Sequence, residues 1–253
     1  MRFLCVGYNA AMIAPSLAVR TRIASLAVLL SLALPLFGQG ASEVEITAEP
    51  SHRLILQNDD VRVFYVEVAP GSATLTHRHH HDYVLVSLGA SDITNAVVGK
   101  PPAELKLQDG ETTFVPGNSS HKVRNLAKTP FRNVTIELMQ DEKARNSPPA
   151  KWDEERGLHV LEGGTQDIMF VRDGVRVSEV DLQPGGMIPQ HHHGGPHLVV
   201  AVSDLDLRSD VVGKGPSEKR LKAGEVTWVP GGFTHTVMNM GKTQAKFITL
   251  EFH

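Results

Sequence analysis

The stretch Gly185-Gly-Met-Ile-Pro-Gln-His-His-His193 has a counterpart 114 residues earlier (185 − 71 = 114), Gly71-Ser-Ala-Thr-Leu-Thr-His-Arg-His79. In each, a glycine is followed six residues later by a His-x-His pair. The same shift carries Gly110, Pro116, His121 and Asn125 onto Gly224, Pro230, His235 and Asn239. It also pairs Val61-Arg-Val63 with Val175-Arg-Val177, Val97-Val-Gly-Lys100 with Val211-Val-Gly-Lys214, and Glu137 with Glu251. An ungapped repeat of this length means two copies of one domain rather than a solenoid of short units.

Around these motifs the chain reads as strands and turns. Val61-Arg-Val-Phe-Tyr-Val-Glu-Val68 alternates and stops at Pro70-Gly71. Tyr83–Leu88, Glu111–Val115 and 131–138 are rich in β-branched and aromatic residues, and these three together with Val61–Val68 have matching segments in Val175–Leu182, Leu198–Val202, Glu225–Val229 and Phe247–Phe252. Short strands at regular spacing, punctuated by Gly and Pro, predict an all-β sandwich or barrel in each copy. Segments 42–58 and 156–172 supply an opening strand to each. No amphipathic helix is evident. The charged stretch 141–155, with Pro148-Pro149, reads as the linker between a first domain, 41–140, and a second, 156–253.

Residues 1–40 carry Arg2, Arg20 and Arg22, no acid, and an apolar run from Ile23 to Phe37 that ends in small residues. This is the pattern of a secretory leader, cut near Gly40 or Ala41, with Met1 or Met12 as the start. The run is short for a stable membrane span. Its removal takes Cys5, the only cysteine, so the mature protein has neither disulfide nor thiol nucleophile. It also takes three of the 25 basic residues and none of the 28 acidic ones, moving the formal charge from −3 to −6. No long basic stretch remains, which argues against nucleic acid. An exported, periplasmic or secreted protein with a small-molecule partner is the expectation, with homo-oligomerisation open.

On a strand, side chains at i and i+2 face the same way. His77 and His79 therefore share a face, as do His191 and His193. A third imidazole from a distant strand, His121 or His235, would complete a three-nitrogen face for a metal. Imidazole suits Fe, Mn, Zn, Ni and Cu, so ligand type leaves the ion open. His80 and His192 point the other way and read as solvated.

Gly-x5-His-x-His followed by Gly-x5-Pro-x-Gly-x2-His-x3-Asn resembles the two signature motifs of the cupin superfamily. The second copy matches throughout (Gly185, His191, His193, Gly224, Pro230, Gly232, His235, Asn239), and in the first Asn118 stands for the middle glycine. The resemblance spans nearly the whole mature chain and implies a bicupin of an exported bacterial type. It would hold two double-stranded β-helical, or jelly-roll, barrels, each with a central metal. The family pattern usually adds a glutamate four or five residues after the second histidine. Here those positions hold Tyr83 and Val84, or His197 and Leu198. His197 is a candidate fourth ligand, which favours tighter metal binding in the second barrel. Tyr83 and His81 are pocket candidates in the first. Glu137 and Glu251 are expected to be structural or surface residues, with orientation of a ligand histidine as the alternative. Trp228 is expected in the core.

Three functions follow. The missing glutamate tilts the resemblance toward metal-dependent dioxygenases of small organic substrates. A divalent ion acting as Lewis acid supports isomerisation. A non-enzymatic metal- or small-ligand-binding protein is the third, because no acid–base pair or nucleophile stands apart from the ligands, and catalytic residues stay unassigned.

Overall fold

The alternating run at residues 61–68 forms a strand over its full length, with both faces buried. Val61 and Val63 look one way, and Arg62, Phe64, Val66 and Val68 the other. This double burial decides the architecture, as seen in a computed structural model that describes residues 43–139, 156–172 and 174–252. The leader 1–40 and the linker 141–155 lie outside the described residues.

The first copy contains β1 (Val44–Glu45), a 3-10 turn (Ile46–Ala48), β2 (His52–Gln57), β3 (Val61–Val68), β4 (His77–His79) and β5 (Tyr83–Leu88). It continues with β6 (Ser91–Val97), β7 (Ala103–Leu107), β8 (Thr112–Val115), β9 (Ser119–Asn125) and β10 (Phe131–Leu138). They form two five-stranded sheets, in the orders β1-β4-β9-β6-β7 and β2-β3-β10-β5-β8. The second copy contains β11 (Gly157–Arg172), β12 (Val175–His193), β13 (His197–Ala201), β14 (Leu205–Val211), β15 (Gly215–Leu221), β16 (Val226–Val229), β17 (Phe233–Asn239) and β18 (Ala245–Phe252). Here β12 runs on through Pro184-Gly185 instead of breaking as the first copy does between β3 and β4. Its first part pairs with β18 and its last with β17, so one strand joins both layers into a single eight-stranded sheet. Among the described residues no helix is long and apolar enough to cross a membrane.

Three apolar clusters follow from the alternation. One fills the first barrel, around Ile46, Phe64, Val66, Val68 and Phe131. Another lies in the second barrel, around Val180, Leu182, Ile188 and Phe247. The largest lies between the barrels. Val61, Val63, Val84, Val86, Val134 and Ile136 of the first pack with Val175, Val177, Leu198, Val200, Ile248 and Leu250 of the second, all within 3 % of full burial. Those twelve are six pairs under the 114-residue shift. Fully burying each such side chain contributes roughly 1.5–3 kcal/mol, so this face is a principal source of stability. Trp228 packs at its edge, 5.2 Å from the Phe252 ring.

The contact between barrels is self-complementary. A Cβ on Gly110 would come 3.3 Å from Glu179 Oε2 and 2.5 Å from Lys246 Cε. A Cβ on Gly224 would come 2.7 Å from Tyr65 Cε2. Glu179 is the counterpart of Tyr65, so the same contact is made twice with the barrels exchanged. Asn118 adopts φ 54°, where its counterpart Gly232 has φ 81°. Asparagine tolerates this left-handed conformation better than most residues, which explains how the first copy departs from the glycine pattern.

Candidate metal centres

Antiparallel pairing of β4 with β9 sets His77 opposite His121, and pairing of β12 with β17 sets His191 opposite His235. His79 and His193 stand two residues further along the same faces. In the second barrel the three Nε2 atoms form a triangle: His191 to His193 is 3.0 Å, His193 to His235 is 3.1 Å and His235 to His191 is 3.1 Å. In the first barrel His79 Nε2 lies 3.2 Å from His121 Nε2, and the His77 and His121 ring centroids are 4.5 Å apart.

The hydrogen bonds on the far side of the rings fix the tautomers of five of the six, His235 facing a hydroxyl that can donate or accept. His77 Nδ1 donates to the Leu75 carbonyl (3.0 Å), His79 Nδ1 to Glu137 Oε1 (3.2 Å) and His121 Nδ1 to Asn95 Oδ1 (2.9 Å). His191 Nδ1 donates to the Pro189 carbonyl (2.8 Å) and His193 Nδ1 to Glu251 Oε1 (3.1 Å), while His235 Nδ1 bonds Ser209 Oγ (2.7 Å). Carbonyls and carboxylates only accept, so each ring bonded to one carries its proton on Nδ1 and turns a bare Nε2 lone pair inward. Burial, then neighbouring histidines, lowers the pKa of His77 to about 4 (His52 the next cause), of His121 to about 2 and of His235 to about 3. Burial also lowers His79 and His191. Neutral rings with converging lone pairs repel one another unless a cation lies between them.

The spacing fits such a cation. Nitrogens at right angles around an ion, with bonds of about 2.1 Å, stand about 3.0 Å apart; at the tetrahedral angle they stand about 3.4 Å apart. The second triangle is therefore compact enough for its three nitrogens to bind one cation. His52, Glu49's neighbour on β2, is a residue the sequence reading missed. Its ligand nitrogen lies with those of His77 and His79 within 4.8 Å of one another, a set that does not include His121, and its Nδ1 donates to Glu49 Oε2 at 2.6 Å. The 114-residue shift places Gln166 at the equivalent position, so the repeat could not reveal it.

Glu137 and Glu251 correct an expectation. They are not surface residues: Glu137 is fully buried and Glu251 is 6 % exposed. Each carboxylate bridges a ligand-candidate histidine and an arginine. Glu137 binds His79 and Arg62 Nε (2.7 Å), and Glu251 binds His193 and Arg176. Burial alone would raise both carboxyls, but the His79 and Arg62 bonds hold Glu137 below its usual range. The His193 bond and Arg176 bring Glu251 down to about 2. The repeated Val-Arg-Val motif is thereby explained, since its arginine braces the carboxylate that fixes the histidine.

Tyr83 and His197 occupy equivalent places. Tyr83 stacks on His79 (4.1 Å, 20°), and His197 stacks on His193 (4.0 Å, 21°). His197 is not among the three nitrogens that converge, and its buried Nδ1 has no partner. Burial, then His193, lowers its pKa to about 4. Burial raises the Tyr83 phenol, so it stays protonated. His81 is half-buried in the turn between β4 and β5, outside the converging set. His80 and His192 are exposed and bond Glu45 (2.9 Å) and Thr234 (3.1 Å).

The barrels differ inside. The cavity beside the first cluster is about 90 Å³, room for about three waters. The second cluster opens on a cavity of about 1210 Å³. Bulky groups of the first barrel have small or displaced counterparts. Phe64 becomes Ser178, Phe131 becomes Ala245, and Ile46 (0 % exposed) becomes Val160 (84 % exposed). Gln166, His197 and Phe233 line the larger cavity with the three histidines.

Against known proteins, the family model described as Cupin matches residues 166–252. Germin-like protein 1 of Brassica napus is 35% identical over 74 residues, which cover 28% of this chain and 36% of that protein. Oxalate oxidase GF-2.8 of Triticum aestivum is 32% identical over 80 residues, covering 30% of this chain and 36% of that one. The chain thus spans little more than a third of the length of these curated relatives. Among solved structures, a variant of oxalate decarboxylase from Bacillus subtilis superposes with a TM-score of 0.57 at 15% identity, covering 77% of this chain and 69% of that one. At that identity the likeness is one of fold.

Proposed function

The chain belongs to the cupin superfamily, and from that premise we propose that it is a two-centre metal-binding protein whose second barrel presents its metal to a small organic substrate. The observation that carries the reading is the triangle of converging Nε2 atoms of His191, His193 and His235 facing a cavity of about 1210 Å³. Imidazole nitrogens suit Fe(II), Mn(II), Zn(II), Ni(II) or Cu(II), and metal analysis of the purified protein distinguishes them. Such an ion, when bound, supplies Lewis acidity and, if redox-active, electron exchange with dioxygen.

The chain's own residues hold and orient. Glu251, Ser209 and the Pro189 carbonyl fix the three imidazoles. A cation held by these three imidazoles would face the cavity and could meet a small substrate there. Val180, Ile188 and Phe247 make part of the wall apolar and exclude water. His197, neutral and with an unpartnered Nδ1 beside this wall, can bind a polar group of the substrate. Dioxygenation of a small thiol, diketone or dihydroxybenzoate is the reaction we assign to this barrel. The first barrel, with little free space, suits a binding or structural metal without turnover.

Oxygen uptake by the metal-loaded protein with a panel of these substrates tests the reading. Uptake is expected to vanish in His235→Ala and to survive in His121→Ala. No uptake with any substrate, together with unchanged metal content in His235→Ala, overturns it. Export rests on the leader-like residues 1–40. Protein isolated from its host should begin near Gly40 or Ala41, and a start at Met1 or Met12 overturns export with cleavage.

A further inference from the structure

We propose that the second barrel takes substrates of two parts: a head of the diketone or dihydroxy kind that meets the metal through oxygen, and an apolar tail of several carbons. The inference rests on His191, His193 and His235 holding a metal that faces the cavity, and it names the class of substrate that reaches it.

Three observations carry it. First, the cavity has a polar end and an apolar end. Side chains two apart on a strand face the same way. On four strands a polar residue at the histidine cluster is followed along that face by an apolar one. His235 is followed by Val237 on β17, His197 by Val199 on β13, Ser209 by Leu207 on β14, and Glu251, past Thr249, by Phe247 on β18, and all of these line the cavity. The registers agree, since Ile188 stands opposite Val237 and Val180 opposite Phe247. Val180, Ile188, Leu207, Val237 and Phe247 belong to one packed cluster, so the apolar lining is continuous. At the polar end the buried Nδ1 of His197, which has no partner, is an atom that a head group can meet.

Second, the cavity is large. Pockets that take drug-sized ligands measure roughly 300–1,000 Å³, and this one measures about 1210 Å³. A head alone would leave the apolar end to water, which is unfavourable. Third, the lining differs in character between the copies. Ile188 and Phe247 stand where the cavity of the first barrel has Thr74 and Asn133. Phe131, which lines that smaller cavity, has Ala245 as its counterpart. The second barrel therefore combines less bulk with a more apolar wall. A tail fits there and has no place in the first.

The probes are straight-chain hydroxamates, from acetohydroxamate to octanohydroxamate, which share one two-oxygen chelating head and differ in tail length. The full chain carrying His77→Ala is loaded with Co(II), so that only the second centre fills, and each probe is titrated against the visible spectrum of the ion. A fully buried methylene strengthens binding about four-fold, so affinity should rise at least about 50-fold along the series. The full chain carrying His235→Ala, with Co(II) in the first centre, should show no such rise. Ile188→Thr combined with Phe247→Asn should cut the rise below about ten-fold and leave acetohydroxamate within about two-fold. Equal affinities along the series at the second centre overturn the proposal and leave the metal centre standing, whether or not the wall variant folds. An equal rise at both centres overturns it as well, because the tail then gains nothing from this wall. If Co(II) binds and no hydroxamate changes its spectrum, the reading of a metal that faces the cavity fails, and the proposal with it.

Discussion

Replacing Glu251 with Gln should weaken metal binding in the second barrel about 10- to 100-fold and leave the first barrel untouched. The carboxylate has two tasks, one per oxygen: Oε1 accepts from His193 Nδ1 at 3.1 Å, and Oε2 accepts from Arg176. An amide keeps one acceptor and turns the other into a donor. Either His193 or Arg176 then faces an N–H group. A hydrogen bond to a charged group is worth about 1.5–3 kcal/mol, and each 1.4 kcal/mol is a factor of ten, so the lost bond alone accounts for about 10- to 100-fold. If His193 is the loser, its proton moves to Nε2 and the ring can no longer ligate in that tautomer. Competition with a chromophoric chelator, run on Glu251→Gln and Glu137→Gln side by side, reads each centre separately. Urea unfolding of the metal-free variants measures the effect on the fold alone. Unchanged affinity in Glu251→Gln, or equal losses at both centres, would refute the argument that these carboxylates set the tautomer.

The metal-free protein should lose stability as pH falls from 7 to 5. His77 and His197, lowered to about 4, and His235, lowered to about 3, stay neutral while their unfolded counterparts take protons near 6.5. The slope is up to about 1.4 kcal/mol per pH unit per histidine, continuing until the folded pKa is reached; flat urea midpoints over that window would contradict it. Gly224→Ala should cost about 2 kcal/mol or more, because φ is +85° and the new Cβ would meet Tyr65 at 2.7 Å; a loss below about 0.5 kcal/mol in the same assay would show that the barrels do not approach so closely. Asn118→Gly should be nearly neutral and Asn118→Val should cost about 1–2 kcal/mol, since only the latter resists φ 54°; equal effects would remove the backbone explanation.

Much of this was legible because strands write their faces into the sequence. The run from Val61 to Val68 became one strand at those bounds, and so did 83–88 and 131–138. The shift of 114 residues drew attention to the two His-x-His pairs and their distant partners because type, spacing and partner recur together. What escaped had no such duplicate. His52 is single, since its counterpart is Gln166. The bridge from Arg62 to Glu137 joins residues 75 apart that become neighbours only when β3 and β10 pair in register. Composition treats Glu137 as a surface acid, and only the double burial of β10 places it inside. The unequal cavities were written in substitutions such as Phe64 for Ser178. Their weight depends on which side of the strand faces the barrel interior.

The twice-made contact between the barrels bears on how two copies in one chain can differ. A surface that meets its own counterpart is the kind two identical subunits share across a two-fold axis. Covalent joining makes such pairing independent of dilution, because the second copy is always present at high local concentration. It also releases the two faces from identity. In a true homodimer every substitution appears on both sides at once, so filling one interior fills the other. Within a single chain Phe114 can stand opposite a history that gave Trp228, and Leu88 opposite one that gave Val202. One barrel can then close around its histidines while its twin stays hollow, with the shared valine face holding both in place.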